Sequence, residues 1–525
     1  MLVFLPAIIL LAAACSGIFL VLTKRGGGFI WAIGFISSLA IWIFSLVVPV
    51  SSFPTASIAN WLPFSQVVSG FTFKVDLSSV SYIFCISTIT LSFVITSTVH
   101  LQSSDWRPGI LLILLNSGLG MLSLVTLDPF GLLITWTLLD FCSLGSDLWF
   151  APDNREKQKA VTSFVIKLLG SFTIMVGVIA GGGKGVNFDL ATIPPNVVLI
   201  FLLAVVLRFW GIVQNFPQQG NRYFLSIKVL VKLISLSSVI VLLNRFPALT
   251  LSGPGTTWIL ISLILVGLWS TARVLLASDM AVALPFLLSG FGSLQIFSVL
   301  QNHADVAMLW GCLALMITGS LVTFLKFRRF HAIFPSVGLL LAIGIPFTLG
   351  GMGLVGLIHP FSGYSVFMLI ILLGLLVGTA RIVWQMEGSQ IQVDRPVSIV
   401  YLVGSLVLPF STIILGVKVF NGFLPNPNII VSGVLLIIGV LLSGIYYRVR
   451  STMHPQGTAD NVIHFVRQVQ KIGKWDPLAK FLQVLIQFMN LIVKLMTNIL
   501  EGDGGFLWTL VLLAVMISIV SSGGG

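Results

Sequence analysis

The chain has 525 residues, of which 57% are hydrophobic and only 8% are charged, and its mean hydropathy is +1.07. This composition is typical of a protein that crosses a membrane many times, because each helical span needs about 20 apolar residues. The formal net charge is +12, but the cations lie in short connections between apolar stretches. The charge therefore does not indicate nucleic-acid binding.

Sixteen apolar stretches are candidate spans, and we interpret them as helices because backbone groups in lipid must be bonded within their own segment. The first is predicted to be a span or a signal anchor rather than a removed signal peptide. The predicted fold class is an all-α polytopic membrane protein with about 14–16 transmembrane helices. The candidate spans lie near 2–23, 29–49, 79–99, 109–127, 129–150, 160–181, 196–213, 224–244, 256–276, 281–300, 304–325, 332–358, 363–385, 397–420, 428–448 and 506–522.

The cations alternate between connections. The connections after even-numbered spans hold only isolated cations, such as Lys74, Lys184 and Arg245. Lys and Arg favour cytoplasmic connections, so the pattern predicts a multi-pass protein of the cell (inner) membrane with its N-terminus outside. The cations that follow odd-numbered spans or flank the next span are Lys24, Arg25, Arg107, Arg155, Lys157, Lys159, Arg222, Arg273, Lys326, Arg328, Arg329, Arg381 and Arg395.

The four cysteines are Cys15, Cys85, Cys142 and Cys312, and none forms a CxxC pair. All lie in or beside apolar spans, so we expect small buried hydrophobic side chains rather than disulfides or metal ligands. The chain shows no recognisable ligand set for a haem, a flavin or an iron–sulfur cluster. No cofactor and no metal are therefore predicted.

Two spans carry residues that disturb a helix. Segment 344–353 contains Pro346 and four glycines, and segment 208–220 ends in a polar stretch around Pro217. Interrupted helices at matching places in two halves often mark an ion path in transporters. For 208–220 a simple connection between helices is the alternative.

Residues 461–500 mix charges with apolar residues at spacings of three and four, which predicts an amphipathic helix broken near Pro477. The charge pattern puts it on the cytoplasmic side. Two interpretations remain open: a helix resting on its own protein or on lipid headgroups, and a lateral helix contacting neighbouring subunits. The glycines Gly504 and Gly505 then turn the chain into a final span.

A series of motifs occurs in a particular order: Met121–Asp128, Trp136–Ser143 with Trp149–Phe150, Ala277–Asp279, Gly344–Gly350 and Ala380–Val383. This order resembles the antiporter-like subunits of complex I (chains L, M and N, mitochondrial chains 5, 4 and 2), of Mrp-type antiporters and of membrane-bound hydrogenases. The C-terminal order of amphipathic helix, Glu-Gly-Asp-Gly-Gly turn and final span is similar to the chain-5 type.

The resemblance implies two inverted five-helix repeats, near spans 4–8 and 9–13. It divides the chain into N-terminal spans, a first repeat, a second repeat, C-terminal spans, a lateral amphipathic helix and a final span. These segments are 1–105, 106–250, 251–396, 397–450, 451–505 and 506–525.

The resemblance also implies which positions would carry protons, and most of them hold side chains that cannot. The family's glutamate in the fifth span falls on Thr137, and its lysine in the seventh falls on Ile212. His359 lies near a span end and is expected to be interfacial. The family's carriers in the eleventh and twelfth spans fall on Trp310, Ala314, Thr318 and Leu354.

Five ionisable residues remain as ion-pathway candidates: Asp140, Asp147, Arg208, Lys228 and Lys232. Asp140 could replace the family's glutamate three residues earlier, or it could be solvated. Arg208 could hold a carboxylate such as Asp140 or could snorkel, but a guanidinium stays protonated and is a poor carrier. Lys228 could also snorkel. Lys232 is deeper and is the strongest candidate, expected to face the bundle interior near Asp140 or Arg208.

Two functions of different class follow. In the favoured one, the chain is an antiporter-like, non-catalytic subunit of a redox-driven membrane complex, with degenerate channel residues and a partly or wholly structural role. In the other, it moves protons or sodium ions through a reduced half-channel in spans 4–8. An independent secondary transporter is a third interpretation. The implied partners are other membrane subunits and the lipid bilayer.

Overall fold

The computed structural model describes residues 2–23, 27–47, 56–58, 71–101, 106–151, 153–181, 190, 193–194, 197–216, 222–246, 254–277, 279–323, 348–358, 363–385 and 394–423. All of them lie in one compact unit, Met1–Asn60 with Gln66–Ser443. The predicted span near 428–448, the lateral helix, the final span, His359 and most of the span at 332–358 lie outside the described residues.

Fourteen α-helices make up nearly all of the described chain, and they match the first fourteen predicted spans in order. Twelve of them are long and apolar enough to cross a membrane, whereas α7 and α12 are shorter. The prediction of an all-α polytopic membrane fold is confirmed, and the inverted repeats stay a prediction. The helices are α1 (Leu5–Leu22), α2 (Gly27–Val47), α3 (Leu77–Thr96), α4 (Trp106–Val125), α5 (Pro129–Trp149), α6 (Asn154–Gly181), α7 (Val198–Gln214), α8 (Arg222–Asn244), α9 (Pro254–Leu276), α10 (Met280–Leu300), α11 (Ala304–Thr323), α12 (Leu349–Ile358), α13 (Gly363–Gln385) and α14 (Arg395–Phe423).

Two short strands, which the sequence did not predict, pair at one end of the bundle. Strands β1 (Ala56–Ile58) and β2 (Phe71–Phe73) are antiparallel. The link between α4 and α5 lies on the other side of β2, where the amide of Leu127 donates to the carbonyl of Thr72 at 3.0 Å. Strand β2 is therefore hydrogen-bonded on both sides.

Helix α3 lies at the centre of the described bundle and packs against α2, α4, α8, α11 and α14. Its many hydroxyl groups are buried, and most bond to carbonyls of the same helix; the Thr88 Oγ1 donates to the Phe84 carbonyl at 2.7 Å. Others join helices, since the Ser92 Oγ donates to the Gly404 carbonyl on α14 at 2.8 Å. Local bonding lets a Ser- and Thr-rich helix be buried without unsatisfied donors.

The structure corrects two sequence predictions. Helix α7 runs unbroken through Gln214, so Arg208 lies within a continuous helix and the predicted interruption does not begin at 208. Residues 217–221 lie outside the described residues. Cys85 and Cys312 are buried as expected. Cys15 is exposed and Cys142 is half-buried, because these two lie on helix faces that are turned away from the packed interior.

A buried charge network as the candidate functional site

Asp140 on α5 and Arg208 on α7 form a bidentate ion pair in the interior. The Arg208 Nη1 lies 2.9 Å from Asp140 Oδ2 and its Nη2 lies 3.0 Å from Oδ1. Neither side chain is exposed. The guanidinium also donates to the Ser171 Oγ at 2.6 Å and to the Lys167 carbonyl at 3.2 Å, and it lies 4.0 Å from the Trp136 ring. The snorkelling interpretation of Arg208 and the solvated interpretation of Asp140 are therefore both wrong.

A second cation reaches the same carboxylate. The Nζ of Lys167, on α6, lies 3.3 Å from Asp140 Oδ1, and the lysine is 3% exposed. Sequence reasoning missed Lys167, although a lysine deep in an apolar span is a signal for a functional or paired group. One carboxylate thus faces two cations, so this triad carries an excess positive charge if all three groups are ionised.

Close packing of α6 on α7 brings these side chains together. A Cβ added at Gly170 would lie 2.5 Å from the Arg208 Cγ, and one added at Gly211 would lie 2.8 Å from the Lys167 Cγ. The Ser163 Oγ donates to the Gly211 carbonyl at 2.6 Å across the same interface. The two glycines let the helix backbones approach closely, as small residues do between membrane helices.

Lys232 on α8 points into the bundle and is 2% exposed. Its Nζ lies 3.2 Å from Asp147 Oδ1 and also donates to the Asn215 carbonyl. The Asn215 amide in turn donates to Asp147 Oδ2 at 2.7 Å. Its ion-pair partner is thus Asp147 and not the expected Asp140 or Arg208.

Lys228, one turn before Lys232 on α8, is also paired. Its Nζ lies 3.1 Å from Glu156 Oε2 on α6, and the lysine is only 5% exposed. Glu156, which the sequence analysis did not select, keeps 22% of its side chain exposed. Lys228 therefore does not snorkel to water by itself, and its partner marks the solvent-accessible end of the charge network.

The network extends in one direction only. Its ion pairs lie between the middle of α5, at Asp140, and the end of the bundle at which α5 finishes and α6 starts, at Glu156. Toward the opposite end, the four helices contain no Asp, Glu, Lys, Arg or His in 129–139, 168–181, 198–207 and 233–243. The next buried ionisable groups there are Asp128, which caps α5 at the Gly131 amide, and Arg245.

Arg245 lies at that opposite end of the bundle and bonds to several elements there. Its guanidinium donates to the carbonyls of Leu124 at 2.5 Å and Thr126 at 2.7 Å, and its Nε lies 3.3 Å from Asp76 Oδ2. It also donates to the Ser79 Oγ at 3.1 Å. These bonds tie the end of α8 to the start of α3 and to the link between α4 and α5.

The side chains at the positions that the resemblance marks as degenerate carry no charge. Thr137 is half-buried and donates to the Leu133 carbonyl of its own helix at 2.7 Å. Among the residues between 254 and 423 whose burial the structure describes, no Asp, Glu, Lys, Arg or His is fully buried, and His303, Arg381 and Lys418 are half-buried. The apolar or neutral side chains at the remaining degenerate positions are all buried: Ile212, Trp310, Ala314, Thr318 and Leu354.

Two of these residues carry polar atoms without a partner. In the described part of the chain, the Trp310 Nε1 and the Thr318 Oγ1 are buried and make no hydrogen bond. The described residues also contain no group of three or more His, Cys, Asp or Glu side chains that could hold a metal ion.

Three solved structures are similar to this chain. A chain of the membrane-bound sulfane sulfur reductase (MBS), an archaeal respiratory membrane complex, matches with a TM-score of 0.68 and 11% identity, over 98% of this chain and 99% of its own length. A chain of respiratory complex I from Thermus thermophilus matches with a TM-score of 0.60 and 16% identity, over 83% of this chain and 99% of its own.

A chain of the Mrp complex from Dietzia sp. DQ12-45-1b matches all of this chain with a TM-score of 0.64 and 13% identity, and this chain spans 63% of its length. No protein-family model and no curated protein matches the sequence. At such low identity the structural similarity establishes the fold alone. The chain therefore shares the fold of these chains from an Mrp complex, a respiratory complex I and an archaeal respiratory membrane complex, which agrees with the resemblance seen in the sequence.

Proposed function

We propose that this chain is an antiporter-like subunit of a multi-subunit membrane complex and that its second repeat does not carry ions. The structures that share its fold come from an Mrp complex, a respiratory complex I and an archaeal respiratory membrane complex. Its partners would be other membrane subunits and the lipid bilayer. Any redox reaction would take place in another subunit.

The unequal distribution of buried charge supports this proposal. Helices α5 to α8 contain the buried Asp140, Asp147, Lys167, Arg208 and Lys232. From 254 to 423, no Asp, Glu, Lys, Arg or His whose burial the structure describes is fully buried; His303, Arg381 and Lys418 are half-buried. Proton movement needs titratable groups or ordered water along its path, and an apolar interior retains neither.

The first repeat has charge at one end only, which also argues against a path through it. The network ends near the middle of α5 at the Asp140 triad, and the helices beyond it carry no charged residue up to Asp128 and Arg245. Arg208 binds both oxygens of Asp140 and cannot release a proton. It therefore holds this carboxylate in place and does not transfer a proton to or from it. Such an arrangement stabilises the packing of α5, α6 and α7.

One observation favours the second candidate, a half-channel for protons. Lys232 and Asp147 lie 3.2 Å apart in the interior, and transfer of one proton would make both groups neutral. A lysine ammonium changes its protonation state when buried far more readily than a guanidinium does. Sodium is a weaker candidate, because both carboxylates already have cationic partners.

The substitution Lys232→Met separates these functions. The full-length chain would be purified in mild detergent with the subunits that accompany it, and the complex would be reconstituted in proteoliposomes. We expect the variant complex to assemble and to move as many ions per electron as the unchanged complex does. The control is Arg273→Met, which removes an exposed cation from α9. Loss of ion movement in the Lys232 variant alone, with assembly intact, would establish the half-channel instead.

A further inference from the structure

Helix α6 begins with exposed cations before it enters the apolar region. Arg155, Lys157 and Lys159 are exposed. From Val161 onward the exposed side chains of this helix include large apolar ones, with Val161 47% exposed and Phe172 63% exposed. A cation next to an exposed apolar helix face lies where the hydrocarbon gives way to the lipid headgroups.

The one acidic residue among these cations does not neutralise them. Glu156 lies between Arg155 and Lys157 in sequence, but its carboxylate is turned inward to Lys228 at 3.1 Å. None of the three cations forms an ion pair in the described part of the chain. The exposed Asp153, whose Oδ1 accepts the Glu156 amide at 2.7 Å, is the other acidic residue in this segment. The outward surface therefore keeps a positive excess.

A tryptophan lies beside this positive surface. Trp149 is the last residue of α5 and is 76% exposed. About two turns earlier on α5, Phe141 is 58% exposed, and its ring lies 5.5 Å from that of Phe164 on α6. The outer faces of α5 and α6 therefore form a continuous apolar surface. Tryptophan is enriched at the membrane–water boundary, where its ring contacts both chains and headgroups.

We propose that Arg155, Lys157 and Lys159 at the start of α6, together with Trp149 at the end of α5, bind the headgroups of anionic phospholipids, whose acyl chains lie on the outer face of α5 and α6. The cations match a headgroup with net negative charge, whereas in a zwitterionic headgroup an attached cation offsets the charge of the phosphate. Each cation near an anionic membrane surface is expected to strengthen binding roughly fivefold. This site does not depend on whether the chain moves ions.

The test compares retention of two lipids by the full-length chain. Native mass spectrometry would measure binding of phosphatidylglycerol and of phosphatidylcholine to the detergent-purified protein. We expect a preference for phosphatidylglycerol that weakens as salt rises. The variant Lys157→Gln/Lys159→Gln is expected to bind phosphatidylglycerol roughly 20-fold more weakly. The matched control, Lys24→Gln/Arg25→Gln, removes two cations from another connection on the same predicted side and should retain the preference.

Three results would overturn the proposal: no preference for the anionic lipid in the unchanged protein, an equal loss in both double variants, or no loss in the α6 variant. If the α6 variant keeps its lipid binding but loses a subunit that otherwise accompanies it, the surface binds an acidic protein instead. Should the double variant fold poorly, the single variant Lys157→Gln replaces it, with an expected loss of roughly fivefold.

Discussion

Arg208 binds both oxygens of the Asp140 carboxylate, at 2.9 and 3.0 Å, with neither side chain exposed to solvent. Lys167 adds a third charge at 3.3 Å. This arrangement makes one carboxylate the shared partner of two cations on two different helices. The number of charges left unpaired therefore sets the order in which we expect loss of Asp140, Arg208 or Lys167 to lower the free energy of unfolding.

We expect Asp140→Asn to be the most costly single change in the triad. It leaves two buried cations without their carboxylate, whereas Arg208→Gln leaves Asp140 paired with Lys167. Removing one partner of a buried pair costs about 3–5 kcal/mol, and we expect Asp140→Asn near the upper end and Arg208→Gln near the lower.

Lys167→Met should cost less than either, about 1 kcal/mol or less, because the remaining Asp140–Arg208 pair is neutral. The free energy of unfolding in detergent, measured for the three single variants and the Asp140→Asn/Arg208→Gln double, gives the order and the coupling. A result in which Lys167→Met is the most costly would contradict this description of the triad.

Gly170→Ala is expected to destabilise the packing of α6 on α7 by about 1–3 kcal/mol, as overpacking does in cores. Its new Cβ would lie 2.5 Å from the Arg208 Cγ and 2.9 Å from the Ala204 carbonyl oxygen. Gly145→Ala is the control, since nothing lies within 4 Å of a Cβ there. The control should be neutral or slightly stabilising, because Ala favours helix. Equal melting temperatures for the two variants would show that the close approach is not required.

Arg245→Met should loosen the end of the bundle where β1 and β2 pair. It removes the donor from the carbonyls of Leu124 and Thr126 and from Asp76. Buried acceptors left without a donor cost about 1–3 kcal/mol each, so we expect a loss of at least 2 kcal/mol in unfolding free energy. Arg273→Met, at an exposed site where the guanidinium lies over the rings of Trp269 and Phe286, should change it by about 1 kcal/mol or less. The hydrogen-exchange rate of the Leu127 amide should rise. An unchanged rate there would show that the Arg245 contacts do not hold this end of the bundle together.

Thr318→Val is expected to be neutral or to stabilise the protein by about 1 kcal/mol. The Thr318 Oγ1 is buried without a hydrogen-bond partner in the described structure, so the change removes only an unpaired polar atom. Thr88→Val provides the contrast, because its Oγ1 accepts from the Trp42 Nε1 at 3.1 Å and donates to Phe84 at 2.7 Å. We expect that variant to lose about 1–2 kcal/mol. If Thr318→Val also reduced ion movement by the reconstituted complex, a polar path through α11 would have to be reconsidered.

The sequence alone determined how many helices the described chain has and in what order. Long apolar runs separated by short polar connections admit little besides spanning helices, because lipid satisfies no backbone group. It also determined that Trp310, Ala314 and Leu354 cannot carry protons, since this depends on side-chain chemistry alone. The short sheet could not be predicted, because three-residue strands leave no clear periodicity.

Only the tertiary structure decided which charges pair. The spacing of Asp140 and Asp147 on α5 says nothing about the rotation and tilt of α6, α7 and α8. Those depend on close packing at Gly170 and Gly211, which places Lys167 against Asp140 and leaves Asp147 to Lys232. Partners across helices are set by how the helix faces pack, and no pattern along a single helix encodes this.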